Sequence, residues 1–471
     1  MIGENDAGTW GVTNSYVEVL DTYTYEIDGD RYRYDGELRP FETEKTKPLR
    51  VAGGEDRTVQ FRETVHGPLL EREDQQVGVA WTGFTATRTL DALRRISLSD
   101  GLEDAVDAAR RCDIPTQNVL YADRDGRTAY LLCGLVPYRG SEDDPVRGDQ
   151  VFDGSSGEGE WPGYVPYDEP EYSKFVDFED KPIAIDPEYV GTANQLITDD
   201  PAAYLTRNAR PPYRAKRIYD RIEAQIEADE PIDAETMADI QRDTRSELAA
   251  ALVPALLEQR DAIDDEIADE LDALTDWEYE MVRDSRAALL FYRWFHEFER
   301  LTFEPHFEPA DLDESYWPDA WVLANLPEDS QWFDDPDESG ERTRADVVAA
   351  AFESAVERIE ADGHETYGDL NRARIEHQLG LSFLRYPTKA TDGSGYTIRN
   401  FWVDLQLGSS WRMIATPGEG ESRAVLPGGN SGDYFSEQYD DQLSMWNDGA
   451  YKSMERTLPD EIAVEFGGDD S

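Results

Sequence analysis

Lysine is nearly missing from this chain of 471 residues. It occurs only at Lys45, Lys47, Lys174, Lys181, Lys216, Lys389 and Lys452, and every other Lys-or-Arg position is Arg. The two together number 45 against 102 Asp and Glu, a formal net charge of −57. A surface of that sign repels nucleic acid and anionic membrane, which excludes both as partners. The acid is spread along the chain, as on a solvated face, and such a surface is tolerable where concentrated salt screens it. Cysteine is scarce too. Cys112 and Cys133 either pair or sit buried as thiols, and no C-x-x-C spacing suggests a metal. The histidines, His66, His296, His306, His364 and His377, form no HExxH-type ligand pattern. No run of about eighteen apolar residues is present to span a membrane. The start, Met1-Ile2-Gly3-Glu4-Asn5, has neither a basic n-region nor an apolar h-region, so no signal peptide is visible.

What is there is enough for a large core: 39% hydrophobic and 11% aromatic residues, too many for disorder. Residues 1 to about 90 read as short strands between Gly and Asp turns, from Trp10-Gly11-Val12-Thr13-Asn14 to Val77–Trp81. Ser97 to Arg111 reads as one amphipathic helix with Leu102, Ala105, Val106 and Ala109 on its apolar face. Asn118–Asp123 and Thr128–Leu132 read as a hairpin across Arg124-Asp125-Gly126. Arg214 to Arg300 and Thr343 to Ala361 are helical, with Asp233 a start signal. From Gly393 strands return at Tyr396-Thr397-Ile398, Phe401–Leu405, Trp411–Ile414 and Arg423–Leu426. The pattern predicts an α+β chain: a sheet-forming half over 1–213, a mainly helical lobe over 214–390, and C-terminal strands over 391–471 that return to the sheets.

The stretch Gly191-Thr192-Ala193-Asn194-Gln195 reads as the end of a short strand, before the turn-rich Thr198-Asp199-Asp200-Pro201. Arg214 opens a helical pattern about twenty residues further on. A carboxamide in that place either closes a turn through its own side chain or aims an N–H at a reacting oxygen, with a guanidinium to hold it.

Several segments, in order, carry a resemblance. They are Gly3-Glu4-Asn5 to Asn14; Thr64-Val65-His66-Gly67-Pro68; Asn118 to Asp123 with Gly134, Pro137 and Arg139; Trp161 to Pro166; Thr192 to Gln195 with Pro212-Tyr213-Arg214; and Leu426 to Gly432 with Tyr439-Asp440-Asp441-Gln442 and Trp446. Over almost the full chain they resemble the penicillin acylase (penicillin amidase) family of N-terminal-nucleophile hydrolases. The resemblance implies a four-layer αββα sandwich, incomplete at its N-terminal side, with a helical lobe. It implies an acylase acting on linear, non-peptide amides of small molecules. In that chemistry a serine exposed by precursor cleavage attacks the carbonyl with its own α-amine as base, so no cofactor is required. By position, the Asn14 backbone N–H and the Asn194 side chain would form the oxyanion hole, and Arg214 would order it. The family also implies a structural calcium, here on Glu18, the carbonyl of Leu20, Asp21 and the carbonyl of Asp153. Tyr204 falls near where a further carboxylate is expected, with Asp199 and Asp200 beside it. Family members are usually exported.

The nucleophile departs from the pattern. Only nine residues precede Trp10 and none is Ser, whereas the family's serine lies some dozens of residues upstream of that segment; Ser15 has no free amine. The expectation is a chain inactive alone, through a misassigned start or a broken gene, or completed in trans by an upstream α-type segment of the same precursor. The many Trp and Tyr residues leave a second reading, a non-catalytic β-rich ligand-binding or complementing subunit.

Overall fold

The computed structural model describes residues 2–72, 75–141, 144–198, 203–336, 340–418 and 421–454. The chain divides into two compact units, Met1–Arg210 and Pro211–Ser471. The expected helical lobe and the C-terminal strands fall together in the second.

The first unit opens with the strands read from its turns: β1 Gly3–Glu4, β2 Gly8–Asn14, β3 Leu20–Thr24, β4 Ile27–Asp28, β5 Arg31–Tyr34, β6 Glu37–Pro40, β7 Thr43–Leu49, β8 Arg57–Thr64, β9 Gly67–Arg72 and β10 Gln75–Trp81. Helices α1 (Thr89–Ser97) and α2 (Leu102–Ala109) follow, then β11 Gln117–Asp123 and β12 Thr128–Cys133, the expected hairpin. Short strands β13 Gly140–Ser141, β14 Asp144–Pro145, β15 Val151–Asp153 and β16 Ile183–Ile185 complete it. One antiparallel sheet runs β1-β2-β11-β12-β16, and a second runs β15-β3-β10-β9-β8-β7, with β15 parallel to β3.

The alternation along β2 decides what covers the first sheet. Trp10 points to the face where Val119, Tyr121, Leu131 and Cys133 meet Ile96, Leu102, Ala105 and Ala109 of the helix pair. An apolar cavity of about 190 Å³ remains under that helical roof. Thr13, Asn118 and Tyr130 occupy the opposite face, joined by hydrogen bonds described below. The helix expected over 97–111 forms as the shorter α2, and α1 ahead of it was not expected. Ser97 ends α1, and Gly101 stands between the helices at φ 148, a backbone conformation that side chains disfavour.

In the second unit the helices are α3 Tyr213–Glu227, α4 Ala234–Arg242, α5 Glu247–Leu257, the one-turn α6 Asp265–Ala268 and α7 Asp272–Thr275, α8 Arg286–Phe307, α9 Ala320–Asn325, α10 Arg344–Asp362, and the short α11 Tyr367–Leu370 and α12 Leu443–Asn447. Asp233 caps α4 as expected, accepting from the backbone of Glu235 and Thr236. Thr343 and Asp346 make a reciprocal capping box on α10. The core packs Trp294 and Phe298 of α8 against Val348 and Phe352 of α10 and Leu252 and Leu256 of α5. Strands Arg412–Ile414, Ser422–Val425 and Lys452–Met454 form a small sheet. Tyr396-Thr397-Ile398 is a turn rather than the expected strand, because the Thr397 hydroxyl accepts from the Ser394 N–H at 2.9 Å and closes it locally.

Candidate functional site

The antiparallel register of β2 with β11 sets Asn14 opposite Gln117 and Thr13 opposite Asn118. Gln117 Nε2 donates to Asn14 Oδ1 at 3.0 Å. Asn118 is buried, and its Nδ2 donates to Thr13 Oγ1 at 3.1 Å and to the Asn14 carbonyl at 3.4 Å. Its Oδ1 accepts from the Tyr130 hydroxyl at 2.9 Å. A polar chain therefore runs across three strands beneath the end of β2.

Onto that end comes the 191–195 segment. Asn194 Nδ2 donates to the Asn14 carbonyl at 2.8 Å, and the hydroxyls of Thr13 and Thr192 share a bond of 2.9 Å. The short strand expected to end at 191–195 does not form. Asn194 adopts φ 68, in the left-handed region, and Gln195 Oε1 accepts from the Ala193 N–H at 2.7 Å, a local closure that competes with a ladder. Part of the expected turn, at 199–202, lies outside the described residues. Tyr16 also sits at positive φ, 56, just after Asn14. Its hydroxyl accepts from Arg210 Nε at 3.0 Å, while the Arg210 N–H donates to the Asn194 carbonyl at 2.8 Å. Two residues in a costly backbone conformation thus flank the junction, held by one arginine. Ser15 is fully buried and its Oγ accepts from the Val17 N–H at 3.4 Å, so it is a turn residue.

The structure brings Asn14 and Asn194 together and puts Arg214 in the first turn of α3, on the second unit. The expectation missed Thr13, Thr192, Asn118, Tyr130 and Arg210. The available signal was Asn118, a polar residue directly before the apolar run Val119–Ala122 of β11.

Two of the expected calcium ligands are engaged by other groups. Asp21 is buried and already saturated: its Oδ2 accepts from Arg139 Nε and Trp161 Nε1, both at 2.6 Å, and its Oδ1 accepts from Arg139 Nη2 at 3.0 Å. Burial raises the Asp21 carboxyl above its ordinary value, and the Arg139 and Trp161 bonds pull against that rise. The Asp153 carbonyl closes its own turn, accepting from Ser156 Oγ at 3.0 Å and from the Glu158 N–H at 3.2 Å. Among the described residues no group of three or more His, Cys, Asp or Glu side chains is placed to hold a metal.

A second buried network joins β3 and the loop before Trp161. His66 stacks on Tyr23 with ring centroids 3.8 Å apart, bonds the Tyr25 hydroxyl through Nδ1, and meets Glu160 Oε1 from Nε2 at 3.1 Å. Burial opposes charge on Glu160, yet hydrogen bonds from His66 and Tyr34 hold its carboxyl below the usual range. Both cysteines are free thiols. No helix among the described residues is long and apolar enough to cross a membrane.

The family model of penicillin amidase matches residues 1–462. The chain is 28% identical to the penicillin acylase 2 proenzyme of Pseudomonas sp. (strain SE83), over 96% of this chain and 59% of that protein. It is 24% identical to penicillin G acylase of Escherichia coli over 36% of this chain and 20% of that one. The chain thus spans about three-fifths of the first relative's length. Among solved structures, a thermostable penicillin G acylase from Alcaligenes faecalis aligns with a TM-score of 0.65 at 16% identity, covering 99% of this chain and 90% of that one. That likeness shows the fold: the α+β arrangement of an N-terminal-nucleophile hydrolase.

Proposed function

The chain belongs to the penicillin amidase family, and from that premise we propose that it carries the oxyanion-stabilising part of an acylase that hydrolyses linear, non-peptide amides. The observation that supports this reading most is the bond from Asn194 Nδ2 to the Asn14 carbonyl, which joins residues 180 positions apart at a strand end. A carboxamide nitrogen has two hydrogens. One is used on Asn14, which fixes the plane of the carboxamide, and the Asn194 side chain is the proposed donor to the developing oxyanion, together with the Asn14 backbone N–H.

The reaction needs a serine with a free α-amine, and the proposal places it on the same precursor, in an α-type or catalytic segment outside the described residues. The 28%-identical relative is itself named a proenzyme. The serine Oγ adds to the amide carbonyl while its proton passes to the α-amine. The tetrahedral oxyanion accepts from the two donors, the C–N bond breaks, and the amine leaves with that proton. Water then adds to the acyl-serine, releasing a carboxylic acid and restoring the hydroxyl. No metal or cofactor takes part in these steps.

Preorganised donors of this kind are worth about a hundred- to a thousandfold in rate each. Asn194→Ala in the complete, processed protein therefore lowers kcat for amide hydrolysis by about that factor, with an unchanged near-ultraviolet dichroism spectrum. Retention of the full rate by Asn194→Ala removes the site assignment. Absence of any amide hydrolysis by the processed parent removes the acylase reading.

A further inference from the structure

The Arg139–Asp21 pair has a wider setting that is itself balanced in charge. Arg139 Nη2 also donates to the Glu18 carbonyl at 2.8 Å. Asp149 accepts from Arg147 Nε at 3.1 Å and from Arg207 Nε at 2.8 Å. The Tyr204 ring lies between the guanidinia of Arg139 and Arg147, with centroid distances of 5.6 and 5.2 Å. Three arginines, Arg139, Arg147 and Arg207, thus face three carboxylates, Glu18, Asp21 and Asp149. In a chain of net charge −57 this is a locally neutral island.

The strand register separates the donors that a divalent ion would have to gather. Asp153 pairs with Thr24 of β3, whereas Leu20 lies at the other end of that strand. At about 3.3 Å per residue the two carbonyls stand about 13 Å apart along it, several times the span of one ion's oxygen shell. The remaining carboxylate, Glu18, accepts on Oε1 from the Arg207 N–H and Asn208 Nδ2, each at 3.3 Å, while its Oε2 is buried with no hydrogen-bond partner among the described residues. Its own N–H donates to the Leu205 carbonyl at 2.8 Å.

We propose that the Arg139 guanidinium is the resident cation of the Glu18–Asp21 turn, doing without a metal what a calcium would do there. Its planar fork takes both Asp21 oxygens and still reaches the Glu18 carbonyl, a geometry that a spherical ion or a lysine ammonium does not reproduce. Through Glu18 it ties the β2–β3 connection, four residues past Asn14, to the 205–208 segment that leads back to Arg210 and Asn194. The pair has side chains 1% and 0% exposed, so salt screens it little. A buried internal cation of this kind suits a protein with so large a charge of one sign.

The test reads binding and stability and stands apart from amide hydrolysis, so its outcome is independent of the acylase reading. The processed protein, in one fixed molar NaCl buffer, is melted with excess EGTA and with millimolar CaCl2, and CaCl2 is titrated into the EGTA-stripped, dialysed protein by calorimetry. The expected result is the same midpoint to within about 1 °C and no saturable heat, since a site filled to about a hundred times its dissociation constant would raise the midpoint by several degrees. Stoichiometric calcium binding, or a midpoint that falls in EGTA, overturns the proposal. Arg139→Lys keeps the charge and loses the fork; its midpoint falls in both buffers alike. Rescue of Arg139→Lys or Arg139→Gln by CaCl2 to the parent midpoint also overturns it, by showing that the carboxylates can hold the ion after all. Should a variant fail to fold, the parent's EGTA and calcium measurements decide alone.

Discussion

Thr13 and Thr192, one on a sheet strand and the other two residues before Asn194, share a hydroxyl–hydroxyl bond of 2.9 Å. That bond runs beside the Asn194–Asn14 contact and fixes how far the segment can slide along the strand end. Thr192→Val keeps the β-branched shape and removes the hydroxyl. It should cost about 1 kcal/mol in urea unfolding. The effect on kcat should be larger, about ten- to a hundredfold, with KM little changed, because a small slip of a donor misplaces it against the oxyanion. Steady-state kinetics beside a urea titration checks the split. Loss of stability with an intact kcat would show that the hydroxyl pair does not set the Asn194 position.

Asn118 is the hub of the same network, and its burial makes it costly to empty. Asn118→Leu removes the donor to Thr13 and Asn14 and leaves the Tyr130 hydroxyl, which bonds Asn118 Oδ1, without that partner. The expected loss is about 2–3 kcal/mol, the range for stranding buried polar groups. Adding Tyr130→Phe removes the hydroxyl that bonded Asn118, so the double variant should recover at least about 0.5 kcal/mol relative to additivity. Additive losses in the cycle would mean that the two side chains are not coupled.

How much of this was legible in the sequence differs from element to element, for physical reasons. The strands before residue 81 and the hairpin at 117–133 are marked by period-two patterns and turn dipeptides, both local signals. The face of α2, with Leu102, Ala105, Val106 and Ala109, was legible from its spacing, but its start was placed too early, because Ser97-Leu98-Ser99-Asp100 looks like a cap while the helix opens after Gly101, at φ 148. The short strand expected to end at 191–195 failed because Asn194 and Gln195 can satisfy backbone groups locally, which composition does not reveal. The meeting of Asn14 with Asn194 was legible through the order of segments along the chain. Thr13, Thr192, Asn118 and Tyr130 were not, since their contact depends on cross-strand register and on a meeting 179 residues apart. For the calcium expectation, the spacing of Glu18 and Asp21 was visible while the arginine already seated on Asp21 lies 118 residues away.

Acid should weaken the His66–Glu160 network. Glu160 has its carboxyl lowered in the fold, although burial alone would raise it, because His66 and Tyr34 hydrogen-bond the ionised form. A lowered carboxyl contributes stability that is present above the ordinary carboxylate value and lost as pH falls through the lower, folded value. Stability should therefore decline from about pH 5 downward, and Glu160→Gln should be less stable than the parent at pH 7 and flatter across that range. Guanidinium or urea midpoints at several pH values check this. A parent and variant with parallel acid limbs would assign the decline to other carboxylates.

Salt should act on this protein in two opposite ways, depending on where the charge sits. The excess of Asp and Glu, 102 against 45 basic residues, is spread over exposed faces where like charges repel. The screening length falls from about 10 Å at 0.1 M to about 3 Å at 1 M, so most of that repulsion disappears between those concentrations. The thermal midpoint should climb steeply over that interval and level off above it. Arg139 and Asp21, with side chains 1% and 0% exposed, lie outside the reach of such screening. The loss caused by Arg139→Lys should therefore be nearly the same in 0.5 M and 3 M NaCl, while the absolute midpoints of parent and variant both rise. A parent most stable in dilute buffer would contradict the surface argument, and an Arg139→Lys penalty that vanishes in high salt would contradict the burial of the pair.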